Sequence, residues 1–119
     1  MPADGASYRE RIAAELAAAR EAEHAHNDGK ARVCSRRAAG VAIGWLLTKH
    51  PQESWGTDAI TRLHHVQSDS GFPQEIRAAA MRLSARISQQ FTYPSTTSPV
   101  DDAETIVTHV FTLMSDGSA

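Results

Sequence analysis

The stretch KARVCSRRAAGVAIGWLLTK, residues 30–49, decides how the rest of the chain is read. Cys34, Ala38, Val41 and Trp45 recur at helical spacing, and Ile43, Leu46 and Leu47 widen that stripe to nearly the whole circumference of the second half. A helix that is apolar all round belongs at the centre of a domain. Gly40 and Gly44, four residues apart, leave room for a neighbouring backbone to come close, although each glycine costs about 1 kcal/mol of helix propensity against alanine. His50-Pro51 ends the run.

Working outward, Ser7 and Glu10 have the spacing of a capping box, in which each side chain satisfies the other's orphan backbone N–H. Tyr8, Ile12, Leu16 and Ala19 follow at helical intervals, predicting a first helix to about Ala25 or His26, closed by a left-handed Gly29. So short a break predicts an antiparallel neighbour. Beyond the central helix, residues 52–56 read as a loop and 57–67 as a short helix with Ala59, Ile60, Leu63 and Val66 inward. Pro73 reads as the first position of a fourth helix, because its missing N–H would be unpaired there anyway. Phe72, Ile76, Ala79, Ala80, Leu83, Ile87 and Phe91 form its stripe. Residues 93–99 read as a Ser/Thr/Pro linker. Ser98, Pro99 and Asp101 then supply cap, first-position proline and first-turn acid for a last helix through Val100, Ala103, Val107, Val110 and Met114 to Asp116-Gly117. The expectation is an all-α, up-and-down bundle of four to five helices, with a tail over 1–6 and one domain over 7–116.

With 119 residues the chain suits one core. Twelve basic against fourteen acidic residues create no global field for polyanions, so any nucleic-acid contact must be a local patch. Arginine supplies most of the positive charge, and its planar fork suits phosphate and carboxylate. The single Cys34 fits a reducing compartment, no secretory leader is visible, and the longest apolar run is about half a membrane span. A cytoplasmic chain without membrane contact is the expectation.

The chemistry-bearing residues do not assemble into a complete catalytic set. Glu21 with His24 and Glu23 with His26 have the Glu-x-x-His spacing of di-iron bundles, but both copies lie on one helix and no second helix supplies a partner, so neither metal nor cofactor is expected. His64 and His65 diverge by about 100° on a helix. Cys34 lies on the apolar stripe and reads as a small core residue; His109, between Ile106 and Leu113, reads as a histidine flanking the core.

One cluster stands out. Lys30, Arg32, Arg36 and Arg37 crowd the first turns of the central helix, where the dipole is positive and Arg32 and Arg36 repel at i,i+4. These four are the phosphate-binding candidates, but the expected arrangement is their neutralisation by Glu21, Glu23 and Asp28 across the turn. Arg82 and Arg86 extend the patch only if the second and fourth helices are neighbours.

The stretch GKARVCSRRAAG, residues 29–40, resembles a segment of small bacterial and archaeal helical proteins similar to the HEPN (higher eukaryotes and prokaryotes nucleotide-binding) superfamily; residues 72–79 and the helix opening at 101–103 fit the same layout. The resemblance implies a helical bundle that is often a homodimer, sometimes beside a nucleotidyltransferase, with some members ribonucleases. The nuclease pattern of Arg, four to six residues, then His is matched here by Arg20 and His26, though earlier in the chain than in those members. There Arg20 would stabilise phosphate charge and His26 would move a proton. The expected function is therefore a non-catalytic helical module that dimerises or binds a partner protein, with a nucleotide- or RNA-binding domain and a metal-independent ribonuclease as alternatives.

Overall fold

The computed structural model describes residues 5–85, 93 and 97–116, and among them the chain is an all-α bundle of five helices: α1 (Gly5–His24), α2 (Asp28–Lys49), α3 (Ala59–Ser68), α4 (Gln74–Ser84) and α5 (Pro99–Asp116). The central helix is α2, flanked by α1, α3 and α5, while α4 packs between α3 and α5. Ile12, Ile43, Leu46, Leu63, Leu83, Ile106 and Val110 meet in the core. Complete burial of one such aliphatic side chain stabilises by about 1.5–3 kcal/mol. Cys34 joins Ala19 and Val100 in a smaller apolar cluster and is buried, as its place on the stripe predicts. No described helix is long and apolar enough to cross a membrane.

Several helix ends differ from the sequence reading. The first helix already runs through Gly5 and Ala6, so Ser7 lies inside it and is not the cap. At its other end the left-handed residue is His26, with φ 59°, and not Gly29, which is helical. The Asn27 N–H donates to the Ala22 carbonyl at 2.8 Å and that of His26 to the Glu23 carbonyl at 3.1 Å, the paired bonds of a Schellman turn. The Asn27 side chain then accepts the Lys30 N–H at 3.2 Å and caps α2. One residue thus ends the turn and opens the next helix, which makes the α1–α2 hairpin tight.

Within 52–56, expected as loop, Glu53–Trp55 forms a 3-10 turn that buries Trp55, stacked on the His65 ring at 5.3 Å. Helix α3 starts two residues late because Asp58 is its cap, accepting the Thr61 N–H at 3.0 Å. Pro73, with ψ 153°, stands before α4 instead of inside it. The stripe positions Ile87 and Phe91 lie outside the described residues. At Ala85 the backbone becomes extended, and the Arg36 side chain takes the carbonyls of Leu83 and Ala85, so α4 closes on a side chain from α2.

The glycine pair of α2 does what its spacing predicts. A Cβ on Gly40 would stand 2.7 Å from the Cβ of Ala59, and one on Gly44 would run into the guanidinium of Arg62. The N-terminal end of α3 therefore lies directly on α2, and Arg62 crosses it to donate to the Gly40 carbonyl at 3.1 Å.

Candidate functional site

The basic cluster is divided by the folding of α2 into separate environments. Lys30 is exposed. Arg32 is 7% exposed, and its guanidinium lies 5.4 Å from the centre of the Tyr93 ring. Arg36 is half-buried and donates to the carbonyls of Leu83 at 2.6 Å and Ala85 at 3.0 Å. Arg37, on the other side of the helix, is exposed. Among the described residues no ion pair joins Arg32, Arg36 or Arg37 to Glu21, Glu23 or Asp28. The expected neutralisation across the turn is not how the charges are arranged, because α2 turns Arg32 and Arg36 inward, toward α4 and Tyr93.

An ion pair completes the inner cluster. Arg82 of α4 and Asp102 of α5 form a two-pronged ion pair, with Nε to Oδ2 at 2.9 Å and a terminal nitrogen to Oδ1 at 2.7 Å. Asp102 is 2% exposed. Its bonds raise the Arg82 guanidinium above its ordinary value. Arg82 is therefore occupied between α4 and α5, and Arg86 lies outside the described residues. Tyr93 stands within electrostatic reach of Asp102 and of Arg32, Arg36 and Arg82. Arg82 thus holds the Asp102 carboxylate, while Arg32 and Arg36 stand beside the same Tyr93 phenol. Burial, and then repulsion from Arg36, lowers the Arg32 guanidinium. Burial also lowers Arg36.

Burial first, then the charge and hydrogen bond of Asp102, push the Tyr93 phenol far above its usual value of 10.0. The expected result of an alkaline titration follows from this. Tyr93 keeps its proton a full unit above the ordinary phenol value of about 10, so the phenolate absorbance accounts for at most one of the chain's two tyrosines until the fold opens. The sign is that of an acid whose folded value is raised. Its contribution to stability is complete below the unfolded value and is lost as pH rises from there toward the folded value. Two phenolates in the native protein at that pH would contradict the burial of Tyr93.

Beside this cluster is a cleft of about 560 Å³ between the start of α2 and the start of α5. Arg32 and Tyr93 line it from within, with Glu23 and Asp28 on one side and Thr97 and Ser98 on the other. The Ser98 hydroxyl accepts the Asp101 N–H at 3.2 Å, which fixes the α5 side of the opening.

The nuclease candidates take other positions. Arg20 pairs with Glu104 and ties α1 to α5, and His26 is exposed at the left-handed turn residue. Neither a hydrogen bond nor an ion pair joins them. Among the described residues no three His, Cys, Asp or Glu side chains gather to hold a metal ion. His109 is half-buried and meets the Phe72 ring edge-on at 5.9 Å.

Asp102 and Tyr93 are the members of this site that sequence reading misses. Asp102 reads as an ordinary first-turn acid, yet it stands four residues before the buried Ile106 and so on the inward side of α5. Tyr93 sits in a segment without helical period, so nothing in the pattern marks it as half-buried.

No family model matches the chain, and neither a curated protein nor a solved structure is significantly similar to it.

Proposed function

We propose that this chain is a non-catalytic binding module whose ligand is a small aromatic anion held in the cleft over Arg32. The observation that carries the reading is a cleft whose inner wall sets the Arg32 guanidinium beside the Tyr93 ring. Burial and the neighbouring Arg36 both disfavour the Arg32 charge, and Glu23 and Asp28 line one side of the cleft. An anion entering there meets a planar guanidinium fork in a poorly solvated setting, where a charge-assisted hydrogen bond is stronger than in water. The Tyr93 ring offers a flat face for a planar group, and the cavity volume is in the range of small-ligand sites, about 300–1,000 Å³. Nucleotides combine a planar base with an anion, and the resemblance of residues 29–40 to HEPN-like proteins points toward that class.

Two features favour binding over chemistry. The Tyr93 phenol is pushed up and holds its proton, and a guanidinium keeps its own at neutral pH. Neither is poised near the working pH, where general acid–base catalysis is effective. Dimerisation through uncovered apolar faces has less support. The second half of α2 is covered, and the large exposed hydrophobic side chains among the described residues are Val33 and Met81, on separate helices.

Calorimetric titration with nucleoside monophosphates and aromatic carboxylates tests the reading, with uncharged nucleosides as controls. The anions should bind and the nucleosides should not. Arg32→Gln should weaken binding by about tenfold or more, since a hydrogen bond to a charged group is worth about 1.5–3 kcal/mol. Arg32→Lys retains a charge and should fall between the two. Equal binding of nucleosides and monophosphates, or affinity indifferent to Arg32→Gln, would overturn it.

A further inference from the structure

On the opposite side of α2 from that cleft, three arginines from three helices converge on one groove of about 220 Å³. Arg11 comes from α1, Arg37 from α2 and Arg62 from α3, and Glu15 is the acidic residue lining the same groove. The convergence follows from the glycine pair. Without a Cβ on Gly40 the start of α3 can lie on α2, and without one on Gly44 the Arg62 side chain can pass over the helix. Arg62 is then fixed by its bonds to the carbonyls of Gly40 and Gly56, both at 3.1 Å. Arg11 and Arg37 are exposed, and neither makes a hydrogen bond or ion pair with another described residue. Glu15 lies within ion-pair distance of none of the three.

We propose that this groove is a second binding site, independent of the Arg32 cleft, that recognises a phosphate group. The argument is one of charge and shape. Three guanidiniums against one carboxylate leave a local charge near +2 on a chain whose net charge is -2, so the groove is a positive spot on a negative molecule. One fork is held rigid by backbone carbonyls, and two stand free at the rim. A planar fork matches two oxygens of a phosphate at once, and several forks around one hollow surround a tetrahedral anion better than they do a flat carboxylate. The phosphate can be a free monoester or one unit of a nucleic-acid backbone.

The side-chain Nε–H resonances of Arg11, Arg37 and Arg62 provide a direct readout, followed while inorganic phosphate, ribose 5-phosphate or single-stranded oligouridylate is added. Saturable shifts confined to these three arginines are expected. The double variant Arg11→Gln/Arg37→Gln, at two exposed positions, should keep the melting temperature and lose about tenfold or more in affinity, the value of one charge-assisted bond. Arg32→Gln should bind phosphate here unchanged, which separates failure of this site from failure of the cleft. If oligouridylate binds much more tightly than ribose 5-phosphate, the source is a backbone. In that case log K falls by about 2 per tenfold rise in salt, as expected for three contacts to a single strand. If the two bind alike, the source is a free monoester. Shifts that never saturate, or that persist in the double variant, would overturn the proposal.

Discussion

Asp102→Asn is expected to produce the largest loss of stability available from a single polar substitution in this chain. Asp102 is 2% exposed, accepts both prongs of Arg82, and stands within electrostatic reach of the Tyr93 phenol. Asparagine keeps the shape and removes the charge, so Arg82 loses its ion pair where it is largely shielded from water. Breaking a buried pair by removing one partner costs about 3–5 kcal/mol. At about 4 °C per kcal/mol for a domain of this length, the melting temperature should fall by about 12–20 °C. Arg82→Gln should cost nearly as much, because it leaves the buried Asp102 carboxylate without its two-pronged partner. Thermal melts of the two variants check this, and a much smaller loss at Arg82→Gln would mean that the carboxylate does not depend on the pair.

Arg36→Gln should be the next most damaging change. Its side chain closes the end of α4 by donating to two terminal carbonyls, at 2.6 and 3.0 Å, from a helix far away in sequence. Each such bond to a charged donor is worth about 1.5–3 kcal/mol. Relief of the repulsion from Arg32 offsets part of this, which leaves a loss of about 3 kcal/mol. Amide exchange should accelerate in the last turn of α4 and little elsewhere. Neutralising Glu21, Glu23 and Asp28 together should leave the melt nearly unchanged, since none of them pairs with the cluster. A more stable Arg36→Gln protein would show that the repulsion outweighs the clasp.

The core-facing pattern of this fold is legible in the sequence because periodicity reports burial directly. Ile12, Ile43, Leu63, Leu83 and Ile106 are all stripe or flanking positions, and all are buried. The ends are less legible, since a cap depends on which of several small polar residues the tertiary contacts favour. Asp58 prevails over Thr57, and His26 over Gly29, although glycine is the easier left-handed residue. The fate of the arginines could not be read at all. Lys30, Arg32, Arg36 and Arg37 look like one patch along the chain, but 100° per residue distributes them between solvent, a phenol ring, two carbonyls and a groove. Which distant groups receive them is settled by helix packing, and one-dimensional spacing carries no record of that.

The two-pronged pair between α4 and α5 also limits the order in which this chain can change. Replacing Arg82 or Asp102 alone leaves a poorly solvated charge without its partner, so each single step is costly in either direction. An apolar pair of similar volume would carry no such cost, yet it is reached only through one of those intermediates. Positions 82 and 102 should therefore change together among descendants of this sequence, both retained or both replaced.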